Sequence, residues 1–412
     1  MKKIDKIEKK SGILLFALIL FNAGCTGKPS MTRIPVSLPN NGENTSKQYI
    51  STIFVENTDG TDDGIKRLIR SMQDNGAYFY QTQASPSGLI ASDDVVLLEI
   101  NCQWAERGGT NTDLIRCVIQ AVLDHPNGFT GEIIVADNGQ AQYGSNSRGG
   151  SLNWANANAA DRGQSVIKVI QSFQAKGHHV TGVLWDDFTT VKVQEFSKGD
   201  KKNGFVVEAE RHSTGLEISY PKFSTEYGTH VSFKEGIWNE NAGSYNSNKL
   251  KVINMPVLKA HMIYQVTGAV KSYMGVVSDK LTSGRAHGSV GRGGMGTQMA
   301  GTRMPALNII DMIWIAPASG PASSYATAVQ INKIAASTDP VALDYWASKN
   351  ILMPEAAKHP GGRAPSMSPD GTQPGTFGYW LRLSMNELHK AGITATMDES
   401  KIQVIAGGYT NR

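Results

Sequence analysis

The stretch DDVVLLEIN (93–101) is the feature that most restricts the fold. Its centre is continuously apolar and rich in β-branched residues, with polar residues at both ends. A short run of this kind reads as a strand buried on both faces, which in a soluble protein means a parallel strand covered by helices. TNTDLIRCVIQAVLDH (110–125) follows, with Leu114, Ile115, Val118, Ile119 and Val122 at helical spacing and Thr110 or Thr112 as the expected cap. GEIIVADNG (131–139) is the next strand. Together they make a β-α-β unit with a right-handed crossover.

The alternation continues. Residues 162–177 read as a helix stopped by Gly177, and 179–188 as a strand. Residues 189–250 are richer in Gly, Asn, Ser and Lys and alternate in polarity, so they read as a small antiparallel insertion. The α/β pattern resumes at KLKVINMPVL. MIYQVTGAVKSYMGVV reads as a helix, 278–303 as a long glycine-rich loop, and 305–317 as a strand. A helix at 339–352 with Pro340 in its first turn, a helix in GYWLRLSMNELHKAG and a last strand in KIQVIAGG complete the pattern. The expected fold is α/β: a mostly parallel sheet with helices on both faces, plus a small β-rich insertion.

The N-terminus carries an address. MKKIDKIEKK is basic, and GILLFALILFNAGC is an apolar run of signal-peptide proportions that ends at Cys25. Residues 1–25 therefore read as a signal peptide with a lipobox-like end, although Asn22 stands where leucine is usual. Residues 26–48 read as a flexible tether and 49–412 as the domain. Acylation of Cys25 would hold an exported protein at a membrane of the cell envelope without a spanning helix. Export makes a Cys102–Cys117 disulfide an open alternative to two buried thiols. Two cysteines cannot supply four thiolates, so no iron–sulfur cluster is expected. The net charge of +4 is dispersed without a basic stripe, so no nucleic-acid partner is expected.

Several strands end in polar residues: Asn101, Asp137 with Asn138, Asp186 with Asp187, and Lys259 with His261. Ligands of parallel sheets bind beyond the carboxyl ends of the strands. Lys259, His261 and Lys271 are the candidate catalytic residues, and Asn101, Asp137 and Arg285 the candidate substrate-binding residues. Lys271 either reaches solvent from its helix or lines the same cleft. His261, His287 and Asp311 are candidate ligands of a divalent metal, a donor set that suits zinc, iron or manganese. Arg285, Arg292 and Arg303 offer anion contacts from the glycine-rich segment. ASTDPVALD reads as a helix start, with Ser337 or Thr338 as cap and Asp339 on the helix dipole.

The blocks DDVVLLEIN, PVLKAH, TGAVKSYMG, PALNIIDMIWIAPASGP and STDPVALD, in this order, resemble the bacterial and archaeal family named domain of unknown function 362 over about residues 90–350. The resemblance implies the α/β fold and marks Lys259, His261, Lys271, His287, Asp311, Asp339 and Asp344 as motif positions. Many relatives carry ferredoxin-like cysteine clusters that this chain lacks. Glu99 stands where relatives usually have lysine, and Ser272 where asparagine is usual. The expected function is an exported, lipid-anchored protein with a small-molecule ligand. Three alternatives are open: a metal-dependent enzyme acting on a small anion, a non-catalytic binder of an anion or metal ligand, and a redox-associated protein.

Overall fold

The computed structural model describes residues 49–60, 63–140, 149–318 and 320–407, and these fall within one compact unit. The signal peptide, Cys25 and the tether lie outside the described residues. Among the described residues no helix is long and apolar enough to cross a membrane.

A ten-stranded mixed sheet forms the centre. Its strands are β1 (Ser51–Asn57), β2 (Val95–Ile100), β3 (Glu132–Asp137), β4 (Val180–Leu184), β10 (Leu250–Met255), β11 (Val257–His261), β12 (Gln265–Thr267), β13 (Leu307–Ala316), β14 (Val329–Ser337) and β15 (Ile402–Ala406). Along the sheet the order is β15-β1-β14-β13-β10-β2-β3-β4, and β11 pairs with β12 and β13. The block β13-β10-β2-β3-β4 is parallel throughout, and β14 is antiparallel to both its neighbours. Every residue of β2 and β3 is buried, as their unbroken apolar runs require. A second sheet, β5 (Gly204–Arg211), β6 (Glu217–Ser224), β7 (His230–Ser232), β8 (Gly236–Asn239) and β9 (Ser244–Asn246), is an antiparallel meander in the β-rich insertion.

Helices α1 (Asp63–Asp74), α2 (Thr112–Leu123) and α3 (Val166–Gln174) surround one of two apolar clusters, with Leu68, Val118 and Phe173 among its members. Helices α4 (Ala269–Ser272), α5 (Arg285–Ser289), α6 (Gly294–Gly301), α7 (Pro340–Ala347), α8 (Met353–Lys358) and α9 (Phe377–Lys390) belong with the other, which the second sheet joins through Phe205, Phe223 and Val231. Covering both faces of the sheet leaves the strand ends as the place for a cleft.

Several local expectations are corrected. Asn111, rather than Thr110 or Thr112, caps α2, accepting from the Asp113 and Leu114 amides. Thr110 instead donates to the Met255 carbonyl, tying the helix start to the end of β10. Asp339 itself caps α7, accepting from Val341 N and Ala342 N. MIYQVTGAVKSYMGVV is not one helix. It turns at Met262–Tyr264, runs back as β12, and only then forms the short α4 and a 3-10 turn at Tyr273–Gly275, because Gln265 takes a φ of +66° that a helix cannot hold. The glycine-rich segment is not a loop: it contains α5 and α6. Its glycines permit close approach, since a Cβ on Gly296 would lie 2.1 Å from the Ser384 carbonyl oxygen of α9.

Candidate functional site

The chain runs β2, β3, β4 outward on one side, then returns through β10 to the other side of β2 and continues to β13. The order therefore reverses between β2 and β10. Neighbouring connections leave in opposite directions at such a point, so a crevice opens beyond the strand ends. A cavity of 270 Å³ lies there, lined by Asn101, Asp137, Lys259, His261, Lys271 and His287 among others.

Asn101, just past β2, spans the reversal. Its Oδ1 accepts from Val257 N (3.0 Å) and its Nδ2 donates to Ser272 Oγ (3.2 Å), so it fixes β11 and α4 against β2. Ser272 Oγ in turn donates to Glu99 Oε2 (3.1 Å). Glu99 and Ser272, the two departures from the family pattern, thus touch each other. Burial, and Asp137 nearby, push the Glu99 carboxyl well above its ordinary range.

Lys259 projects from β11 and is 3% exposed; Lys271, on α4, is 7% exposed. Lysine is rarely buried to this extent without a purpose or a partner. Lys259 Nζ donates to the Gly108 carbonyl. Burial, reinforced by Lys271, lowers its pKa to about 7, and burial lowers that of Lys271 to about 8. Asp137 accepts from Cys102 N (2.7 Å) and Asn138 N (2.8 Å). Burial raises it to about 7, and Asp186 adds to the rise. Two ammonium groups and a carboxyl therefore titrate near neutrality around one cavity, which is how acid–base sites are built.

The His261 ring has a defined sense. Its Nδ1 accepts from both Ile263 N and Tyr264 N (3.1 Å each). A nitrogen that accepts two amide hydrogens carries none itself, so the neutral ring holds its proton on Nε2. Burial first, then Lys271, keep this histidine neutral far below its ordinary range. His261, Tyr264 and His287 form a ring cluster, with His261 and His287 centroids 5.9 Å apart. Burial lowers His287 to about 4.

Asp344 positions Lys271. Its carboxylate accepts from Ala269 N (2.5 Å) and Val270 N (3.0 Å), the first turn of α4. Asp344→Ala leaves both amides unsatisfied in the interior. It is expected to cost about 3 kcal/mol; an unchanged urea midpoint would contradict this.

The residues proposed for a metal do not converge. Asp311 does not line the cavity, and its carboxylate accepts from Asn111 N (2.8 Å) and Ile313 N (2.9 Å). A metal-bound histidine usually donates from its other ring nitrogen, whereas His261 accepts there. Among the described residues no group of three His, Cys, Asp or Glu side chains is disposed to hold a metal ion. Arg285 is also displaced from its expected role: it pairs with Glu217 of β6. Arg292 donates to Thr214 O and Arg303 to Phe233 O and Lys234 O, so these arginines pin the second sheet to the core. Cys102 and Cys117 are buried and are not joined to each other. Cys102 sits beside Asp137 at the end of β2, whereas Cys117 Sγ points to Gly60 O (3.8 Å) from α2.

Two lining atoms have no intramolecular partner: Gln103 Nε2 and Thr267 Oγ1 are buried without a hydrogen bond. Neither was singled out from the sequence: Gln103 lies in no motif, and Thr267, although it opens the TGAVKSYMG block, is a residue type that alone does not tell a core hydroxyl from a ligand contact. Buried polar atoms are seldom left unpaired, so they point to a ligand.

Residues 201–349 match the family model described as "Domain of unknown function (DUF362)". The chain resembles this family. The match contains Lys259, His261, Lys271 and His287, but stops short of Asn101 and Asp137, which complete the site from the other side of the reversal point. No curated protein matches the chain.

Proposed function

We propose that this chain is an exported protein, acylated at Cys25, that binds a small anion at the β2/β10 reversal and moves a proton on it. One observation carries the reading: two buried lysines converge on a cavity that also offers unpaired donors. Lys271 and the His261 Nε2–H hold negative charge on the substrate, Lys271 as a cation and His261 as a neutral donor. Lys259, half-protonated near pH 7, takes and returns the proton. The reaction class is proton transfer next to a carboxylate or carbonyl. A purely binding role is favoured by a different contact, the hydrogen bond from Lys259 Nζ to Gly108 O, which keeps the ammonium engaged.

The binding step has a pH signature. Lys259 and Lys271 are ammonium ions below about 7 and 8. Anion affinity is therefore expected to be highest near pH 6 and to fall roughly tenfold or more by pH 9, the loss of about 1.4 kcal/mol or more of charge attraction. Calorimetric titration with acetate across this range, in buffers of different ionisation enthalpy, should also show proton uptake on binding near pH 7.5. Affinity independent of pH would sink the lysine reading.

A further inference from the structure

The cavity is chemically graded. Asp137, Lys259, His261 and Lys271 lie deep, at 2–7% exposed, while its rim carries Met262 and Ile263, 65% and 56% exposed at the turn between β11 and β12. These are the most exposed of the large apolar side chains among the described residues. Trp104, Met274 and Pro321 extend the apolar lining. A site for a small hydrophilic anion alone has no use for such a rim, since exposed apolar surface beside a pocket marks a place where something apolar is covered.

The rim is also held to the chemistry. The two amides that donate to His261 Nδ1 belong to Ile263 and Tyr264, so the ring that presents Nε2–H is fixed by the turn that presents Met262 and Ile263. Tyr264 is anchored in turn, its hydroxyl donating to His287 O (2.5 Å) and its carbonyl accepting from Trp380 Nε1 (2.9 Å). Head and rim are thus set at one spacing by one short piece of backbone.

We infer that the ligand is an amphiphilic carboxylate, with its charged head between Lys259, Lys271 and His261 and an alkyl or single-ring body against Trp104, Met262 and Ile263. This rests on the anion reading above and adds the body to it. The volume agrees: 270 Å³ exceeds the roughly 150 Å³ that encloses a benzene molecule, which leaves space for a carboxylate as well. Met262 and Ile263 are then the specificity-determining residues.

The test is a calorimetric titration of the full-length chain at pH 6.5 with acetate, butyrate, hexanoate and inorganic phosphate, repeated with a Met262→Ser/Ile263→Ser variant. The expected result is affinity rising about fourfold for each added methylene, with the rise flattened in the variant and acetate binding within twofold of the parent. Both substitutions lie at exposed positions, so the acetate value doubles as a check on the fold. Equal affinity for acetate, hexanoate and phosphate would overturn the amphiphile and leave the anion reading standing. A steep series unchanged by the variant would also overturn it, because the body would then bind elsewhere. Binding of none of the four would remove both readings.

Discussion

At pH 6 the Lys259→Met protein is expected to be more stable than the parent by roughly 3 kcal/mol. Lys259 is 3% exposed, and burial brings its pKa from 10.5 to about 7, with Lys271 lowering it further and Asp137 and Asp311 opposing. In the unfolded chain the amine stays protonated until about pH 10.4. Below pH 7 both states hold the proton, and the folded state bears the full cost of an ammonium ion in the interior. Between pH 7 and 10 the folded state releases the proton while the unfolded state keeps it, so the parent gains stability as pH rises. Methionine fills similar space without the charge. The advantage of the variant should therefore be largest below pH 7 and shrink toward pH 10. Guanidinium unfolding at pH 6 and pH 9 reads this directly; a variant weaker than the parent at pH 6 would show that Lys259 holds the fold together. On the anion-binding proposal the same variant should also lose affinity for acetate, an exchange of stability for function at a charged site.

Gly275→Ala should cost on the order of 3 kcal/mol. A Cβ there would lie 2.2 Å from Asp137 Oδ1 and 2.5 Å from Glu99 Oε1. Neither carboxyl can step aside cheaply: Asp137 accepts from Cys102 N and Asn138 N, and Glu99 accepts from Ser272. Both are fully enclosed, so a shift of one breaks hydrogen bonds that water cannot replace. Gly288→Ala supplies the comparison, since a Cβ on that residue meets nothing within 4 Å. It should change stability by less than about 0.5 kcal/mol. Equal urea midpoints for the two variants would mean that the carboxyls over Gly275 have room to move.

Some of this was written locally in the chain. The apolar runs of β2 and β3 and the helical spacing in α2 have one reading each, because periodicity and burial on both faces are properties of neighbouring residues. The gathering of Asn101, Asp137, Lys259 and His261 followed from polar residues placed after buried strands, whereas for Lys271 the sequence left solvent and cleft both open. Strands β1 and β14 left a weaker mark. β1, STIFVEN, has only Ile53–Val55 as an apolar stretch between polar ends, and β14 is half-exposed along much of its length, so neither shows a long unbroken apolar run. The glycine-rich segment misled for a physical reason. Glycine signals a loop in isolation, yet here Gly296 lets α6 press against Ser384 of α9, a demand made by a helix far along the chain.

By itself the sequence determined the parallel α/β core, the separate β-rich insertion and the residue types around the cleft, since these depend on local pattern and on strand ends. Only the tertiary structure decided where the strand order reverses, that Asp311 and Arg285 are engaged elsewhere, which nitrogen of His261 bears the proton, and that Met262 and Ile263 rim the cavity. Those outcomes depend on contacts between segments far apart in the chain, and on burial that shifts the protonation of lysines whose sequence neighbours say nothing of it.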